Sequence, residues 1–362
     1  MSTIQQMIDQ LCPNGIEYVR LGDVVKIKNG KDWKDQSLGD VPVYGSGGKM
    51  DVAVAFPAAH GPSVLLPRKG SLEVQFVDGD FWNIDTVFRT ETEADLLTPR
   101  FFYFVACELD LELISSSSTR PSLTQTALNQ LEIPLPPLEV QNKIVDYLDT
   151  LAAVCDNLDT EISQREQQFE VYRASLISSV TGDEVKLGNL LAYEQPSKYL
   201  VKQADYDDTF EVPVLTAGKT FILGYTDETD GIYQATSESP VVIFDDFTTA
   251  HKWVDFPFKA KSSAMKMLTP STDANSFKFI FYSLANIDID TTDHKRQWIS
   301  TVSNKIITLP PLTVQEDIAN KLDAMQALID NLKYERELRG QQFEFYRAQL
   351  LTFAAKDSTA ND

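Results

Sequence analysis

The 362-residue chain is poor in the residues that most often carry chemistry. Cysteine is scarce: Cys12, Cys107 and Cys155 are an odd number at wide spacing with no CxxC pair, which argues against a disulfide framework and a zinc site. The three histidines, His60, His251 and His294, are isolated and lack the i, i+4 pairing of a helical metal site. No apolar run approaches the roughly 20 residues a membrane span requires. Met1 to Leu11 carries no basic n-region and no cleavage signature, so a cytoplasmic location with no membrane contact is expected. Phosphate loops are absent. Gly218-Lys219-Thr220 imitates the end of one, but Pro213 stands where the first glycine belongs. Gly45 to Lys49 fails the same test at Val43, and both stretches read as β-turn glycines. No amino-methyltransferase motif of the Asn-Pro-Pro-Tyr type, no dinucleotide glycine pattern and no Ser/His/Asp constellation occurs. Asp207-Asp208 and Asp245-Asp246 read as solvated turns rather than cation ligands. The expected tally is no catalytic residue, no cofactor site and no metal.

A basic surplus is missing too. Lys and Arg number 32 against 53 Asp and Glu, a net charge of −21 spread over every segment. Such a chain should hold bare nucleic acid weakly, because neutralised phosphates supply most non-specific affinity.

What the chain does contain is an internal repeat. Leu135–Ser178 and Leu309–Thr352 align without a gap at an offset of 174, with 23 of 44 positions identical. A period this long excludes a solenoid and implies a duplicated domain-plus-helix unit. Pro136-Pro137 and Pro310-Pro311 punctuate each start, where a missing N–H costs little. Apolar residues then recur at spacings of four and three. They are Ile144, Leu148, Leu151, Cys155, Leu158, Ile162, Phe169, Tyr172 and Leu176 in one copy. In the other they are Ile318, Leu322, Met325, Ile329, Leu332, Phe343, Tyr346 and Leu350. This is a coiled-coil seam interrupted by Arg165, Arg336 and Arg339. Two equivalent seams in one chain are most simply satisfied by packing antiparallel on each other, although two independent dimerisation helices would show the same pattern. A helix of about 38 residues would span about 57 Å.

The regions ahead of each helix hold short β-rich runs broken by turns: Val41–Tyr44, Ser63–Leu66, Val74–Val77, Val212–Leu215 and Pro240–Phe244. Faint echoes pair Arg20-Leu-Gly-Asp23 with Lys186-Leu-Gly-Asn189, and Val41-Pro42-Val43 with Val212-Pro213-Val214. The fold expected is α+β: two β-rich domains separated by two long antiparallel coiled-coil helices, related as a pseudo-two-fold internal repeat.

The run Met7-Ile-Asp-Gln-Leu-Cys-Pro-Asn-Gly15 through Leu21-Gly22-Asp23 resembles the specificity (S) subunits of type I restriction–modification systems. So do the two Leu-Pro-Pro-Leu-x-Val-Gln helix starts and the Gln-Gln-Phe-Glu-x-Tyr-Arg-Ala helix ends at Gln167–Ala174 and Gln341–Ala348. The likeness covers nearly the whole chain. It implies target-recognition domains at 1–134 and 181–308, spacer helices at 135–180 and 309–354, and a tail at 355–362. It further implies a non-catalytic subunit that reads a bipartite, asymmetric double-stranded DNA site. Two methyltransferase (M) subunits would bring S-adenosylmethionine, and restriction (R) subunits would bring ATP and Mg. A coiled-coil scaffold that binds only proteins, or an acidic DNA mimic, are the rival readings; the ungapped repeat and diffuse acidity weigh against the mimic.

Base reading needs Arg or Lys for guanine and Asn or Gln for adenine, while phosphates take cations and hydroxyls. The first domain's DNA-binding candidates are Lys49, Arg68, Lys69, Ser117, Thr119 and Arg120. The second domain's are Lys219, Thr249, His251, Lys252, Lys295, Arg296 and Gln297. Any one of them could be an ordinary surface residue; the grouping is the signal. Trp82, Trp253 and Trp298 read as core or domain–helix anchors. Gln141 and Gln315, at equivalent helix starts, and Arg173 and Arg347, off the seam near the ends, are the candidates for partner contact.

Overall fold

The structure is a computed structural model in which residues 2–115, 121–203, 205–218, 220–289 and 295–356 are described. The chain divides into two compact units, Met1–Asp159 with Tyr334–Asp362, and Thr160–Lys333. The division falls inside both long helices. Each unit therefore combines one β-rich region with the adjoining halves of the two helices.

The first unit opens with α1 (Ser2–Leu11), β1 (Tyr18–Arg20), the single turn α2 (Leu21–Val24) and β2 (Val25–Asn29). The hairpin of β3 (Leu38–Gly45) and β4 (Gly48–Val54) is followed by β5 (Ala59–His60), β6 (Ser63–Pro67) and β7 (Gln75–Val77). Then come β8 (Asp80–Asn83), β9 (Val87–Thr92), α3 (Pro99–Glu108), the turn α4 (Gln125–Asn129), β10 (Glu132–Pro134) and the long helix α5 (Leu138–Ser178). The second unit continues with β11 (Asp183–Lys186), α6 (Leu187–Leu190), β12 (Leu191–Glu194), β13 (Val212–Leu215) and β14 (Ile222–Thr226). It is completed by β15 (Val241–Asp245), β16 (His251–Val254), β17 (Lys259–Ala260), β18 (Met265–Pro270), α7 (Phe277–Leu284), β19 (Ile306–Leu309) and the long helix α8 (Leu312–Leu351).

The two units repeat one topology. The sheet β2-β9-β6-β7 has its counterpart in β12-β18-β15-β16, β4-β3-β8 in β14-β13-β17, and the ribbon β1-β10 in β11-β19. Both sequence echoes fall at matching places, the first on α2 and α6, the second on β3 and β13. The central strands β6 and β15 are buried almost throughout, so they read as apolar runs rather than as alternation. In the first unit the chain also closes on itself. Ile16 N–H donates to Ala354 O at 2.8 Å and Lys356 N–H to Ile16 O at 2.9 Å. Gly15 makes this approach possible, with φ of +89° and a position where a Cβ would lie 2.6 Å from Ala355 O.

Within the first unit the long helices run antiparallel: the Tyr147 and Tyr346 rings meet at 5.6 Å, and further along α5 Asp159 pairs with Arg336 at 2.9 Å. In the second unit Glu166 pairs with Lys333 at 2.6 Å. The apolar stripe is buried by two neighbours at once, the other long helix and the short domain helix. In the first unit Ile144 and Leu148 share a core with Phe101 and Phe104 of α3 and Leu350 of α8. In the second, Ile318 and Leu322 share one with Phe279 and Tyr282 of α7 and Phe169 of α5. Tyr172, placed on the seam by spacing, is instead 50% exposed. Its seam neighbour Phe169 is buried, so the departure is confined to that position.

Candidate nucleic-acid interface

Each domain is seated on its long helix by the same joint. Thr98 caps α3, its hydroxyl accepting from Phe101 N–H, and Ser276 caps α7 in the same way toward Phe279. A cap residue's own N–H needs an acceptor, which a capping box takes from the same helix. Here the acceptor comes from the long helix. Thr98 N–H donates to Gln141 Oε1 at 2.9 Å, and Ser276 N–H to Gln315 Oε1 at 3.0 Å. Gln141 Nε2 donates onward to Leu96 O and Pro136 O, and Gln315 Nε2 to Asn275 Oδ1 and Pro310 O. The two glutamines are 0% and 2% exposed. The expectation that they meet a partner is corrected: both are buried inside the chain, where the carbonyls ahead of the helix starts occupy them.

A charge pair reinforces each joint. Asp149 of α5 holds Arg100 of α3 at 2.6 Å, and its repeat equivalent Asp323 of α8 holds Lys278 of α7 at 3.1 Å. Both cations also lie over rings, Arg100 over Phe76, Tyr103 and Phe104, and Lys278 over Trp253 and Phe281. Tyr282 donates its hydroxyl to Asp323 as well, and burial pushes its ionisation far upward. Arg347 is drawn to Glu108 of α3 and Glu344, and Arg173 to Glu170. Sequence reasoning missed Arg100, Asp149, Lys278 and Asp323. The available signal was Asp149 and Asp323, identical in the repeat yet off the apolar seam.

Opposite ends of the chain's loop segments converge at one face of each domain. In the first domain four separate stretches are joined by hydrogen bonds, all but one of them between backbone groups. Arg68 and Lys69 N–H both donate to Thr86 O, Leu123 N–H to Arg68 O, Gly70 N–H to Pro121 O, and Ser46 N–H to Thr86 Oγ1. Gln75 Nε2 adds a bond to Gly45 O at 2.8 Å. The structure thus brings Arg68 and Lys69 beside the segment that follows 116–120, with the β3–β4 hairpin tip and Lys49 at its edge. Lys49 and Lys69 are exposed; Arg68 is half-buried, its guanidinium donating to Asp85 O and lying 5.7 Å from the Phe88 ring. Lys69 reaches Asp85 at 3.6 Å. Ser117, Thr119 and Arg120 lie outside the described residues. The Gly45–Lys49 stretch is the turn of a hairpin, with Gly48 at φ of +100°.

In the second domain the same four places meet. Lys261 N–H donates to Leu215 O, Asp246 N–H to Ala264 O, and Gln297 N–H to Asp246 O. Lys252, Lys295 and Arg296 are exposed, and Thr249 is half-buried with a φ of 60°, rare for a β-branched residue. Lys219 lies outside the described residues. Two candidates change character. Gln297 is buried at 4% exposure, so its side chain does not face solvent as a base reader would. His251 projects from β16 onto α7, its ring 5.7 Å from Phe281 and its Nδ1 3.0 Å from Thr249 O. Burial holds its pKa below the ordinary value, aided by the positive charges of Arg173 and Lys252 and opposed by the Thr249 bond. It is a neutral packing residue near neutral pH. Asp246 also departs from expectation: it is 1% exposed and paired with the equally buried Lys266 at 3.1 Å, not solvated. Trp82 and Trp298 are buried, and Trp253 packs between Phe277 and Phe281, as anchors do. Among the described residues no group of three His, Cys, Asp or Glu could hold a metal, and no helix is long and apolar enough to cross a membrane.

Residues 13–165 match the type I restriction modification DNA specificity domain. A type I restriction enzyme specificity subunit of Escherichia coli is 52% identical over 192 residues, covering 50% of this chain and 47% of its own length. The chain thus spans about half the length of that relative. A Haemophilus influenzae protein carrying a type I restriction specificity-subunit name is 25% identical over 371 residues, covering 94% of this chain and 96% of its own. The crystal structure of the S subunit of a type I restriction–modification system from M. genitalium shares the fold, with a TM-score of 0.66 at 14% identity over 93% of this chain and 96% of that one.

Proposed function

We propose that the chain acts as a specificity subunit of a type I restriction–modification system, as its likeness to such subunits over about half its length suggests, and that each of its two domains reads one half of a bipartite, asymmetric DNA sequence. The observation that carries this reading is the duplicated loop face. Two domains of one topology assemble the same four loop stretches and fill them with different residues: Lys49, Arg68 and Lys69 in one, Lys252, Lys295 and Arg296 in the other. A common frame with unlike contents suits two recognition sites of unlike sequence. Cations at the rim would hold phosphates, and the side chains between them would meet base edges in the major groove.

The chain itself would be a non-catalytic adaptor acting in the cytoplasm. Two methyltransferase subunits, carrying S-adenosylmethionine, would transfer methyl groups to adenine N6 at the selected site. Restriction subunits, with ATP and Mg, would drive cleavage. The helices would then fix the separation of the half-sites; α5, of 41 residues, is about 60 Å long at 1.5 Å per residue. The scaffold and DNA-mimic readings have no comparable support, since neither calls for two loop faces with different fillings.

The test is co-expression with its methyltransferase subunit in a methylation-free host, with adenine methylation mapped by sequencing. A motif of two unlike halves that disappears when this chain is omitted is the expected result. A stable complex with an active partner but no motif would overturn the proposal.

A further inference from the structure

Two reading segments of the second domain, 247–252 and 295–298, are far apart in sequence and rest on two adjacent carboxylates. Asp245 organises the first. Its Oδ1 accepts from Phe247 N–H at 3.0 Å, Thr248 N–H at 2.7 Å and Thr248 Oγ1 at 2.9 Å. Its backbone closes the turn, accepting from Thr249 N–H and donating to Ala250 O. Within that turn Thr249 takes its positive φ, and the exposed Lys252 follows on β16. Asp246 organises the second segment. Its carbonyl accepts from Gln297 N–H at 2.7 Å, and its Oδ1 from Trp298 N–H at 2.7 Å. Its Oδ2 faces Lys266 Nζ at 3.1 Å, and the ammonium lies 5.7 Å from the Tyr193 ring. Trp298 is itself buried against Phe244 and Tyr193.

A buried ion pair is a poor device for stability alone, because apolar side chains of similar volume often serve as well or better. It is a good device for geometry, since a charged acceptor with a fixed cation on one side leaves one direction for the amide on the other. The first domain holds the matching places together differently. There Arg68 stands where Asp246 does, and Leu123 N–H bonds to the Arg68 carbonyl with no carboxylate involved. The carboxylate joint is therefore particular to one domain and not required by the shared fold.

We propose that Asp245 and Asp246, with Lys266 behind them, are positioning residues for base reading by the second domain. They lock the 247–252 turn and the 295–298 segment in one mutual arrangement, so that Lys252, Lys295 and Arg296 present a single pattern to the DNA. The inference rests on the DNA-reading proposal above, and the first domain's half-site is its internal control.

The experiment is methylation mapping of the co-expressed, purified complex carrying Asp246→Ala, Asp245→Ala, or the double change Asp246→Asn with Lys266→Met. Asp246→Ala should lower discrimination at one or more positions of one half-site at least tenfold while the other half stays sharp. Asp245→Ala should relax the same half-site. The Asn/Met pair retains an Oδ1 acceptor for Trp298 N–H and removes the charges together, so it should keep the wild-type motif. Lowered stability alone would reduce the yield of complex without changing which bases are required. A sharp second half in the assembled Asp246→Ala complex overturns the proposal. Should Asp246→Ala fail to accumulate, the more exposed Asp245→Ala decides: a relaxed half supports the joint and a sharp one overturns it. Absence of any motif with the wild-type chain would instead condemn the DNA-reading proposal, an outcome distinguishable from both.

Discussion

Replacing Gln141 with leucine keeps the side chain's bulk and removes its polar end. Three backbone groups lose their partner together: Thr98 N–H, Leu96 O and Pro136 O, bonded at 2.9, 2.7 and 2.8 Å. The glutamine is fully buried, but Leu96 is exposed and lines an open cleft with Pro136, so water can recover part of what is lost. An unpartnered buried backbone group costs about 1–3 kcal/mol. Allowing for water at the part-buried groups and the added apolar contact of leucine, the net loss should be about 2–4 kcal/mol. For a unit of this size that corresponds to a drop of about 5–15 °C in the midpoint of thermal unfolding.

Two units in one chain need not melt together, so hydrogen exchange is the better assay because it reads each joint separately. In Gln141→Leu the Thr98 amide should exchange fast while the Ser276 amide stays protected. Gln315→Leu should give the converse. Glu139, exposed two residues earlier on α5, supplies a control whose change to alanine should stay within about 0.5 kcal/mol. A glutamine that served a partner would behave oppositely, weakening complex formation with no effect on the free chain. If Gln141→Leu melts within about 0.5 kcal/mol of wild type and the Thr98 amide remains protected, the joint is not what seats the domain.

Arg100→Ala removes a half-buried ion pair to Asp149 and contacts with three rings, and should cost about 1–2 kcal/mol by urea unfolding, with Asp149→Asn costing less because the stacked guanidinium stays. In the assembled complex, alanine at Lys49, Lys69, Lys252 or Arg296 should each reduce the slope of log affinity against log salt by about 0.9 where that cation meets a phosphate; fluorescence anisotropy with short duplexes reads it, and unchanged slopes for all four would remove them from the interface. His251 has a folded pKa below its ordinary 6.5, so the unfolded chain takes up the proton first and the second unit should lose stability as pH falls below 6.5. His251→Phe should flatten that dependence in denaturant titrations, and an unchanged pH profile would contradict the buried, neutral assignment.

The long-range plan of the molecule was legible because it was written twice. An ungapped repeat with proline-marked starts placed the helices within three residues of α5 and α8 at either end. The strands around Val41–Val43, Ser63–Leu66 and Val212–Leu215 were legible from β-branched runs between turn residues. The loop face was only half legible. Its cations could be named, but what joins Arg68 to Thr86 and Leu123 is backbone bonding, which leaves no mark in residue type. Gln141 and Gln315 show the other limit. Their equivalence was visible, yet a polar residue near a helix start reads as surface, and burial followed only because the proline-rich approach leaves a carbonyl and the domain helix leaves a cap amide facing the same spot. Asp246 was misread for the related reason that its counter-ion, Lys266, sits in an apolar strand twenty residues away.

The acidity of the chain takes on a sharper meaning once its ion pairs are placed. Several cations counted in the net charge of −21 are engaged internally: Lys259 with Glu228, Lys266 with Asp246, Arg100 with Asp149, Lys278 with Asp323, and Arg347 with Glu108. The exposed lysines and arginines at the two loop faces are few, and they sit in a field dominated by carboxylates with a reach of about 8 Å in physiological salt. Non-specific attraction to DNA scales with phosphates neutralised, so a face of this kind contributes little of it. Contacts to base edges lose far less, because they form at hydrogen-bond distance in a desolvated groove. On the DNA-reading proposal, such a chain would discriminate more than it holds, and most of the holding would have to come from partners. An isolated chain that bound its target tightly at physiological salt would contradict that division of labour.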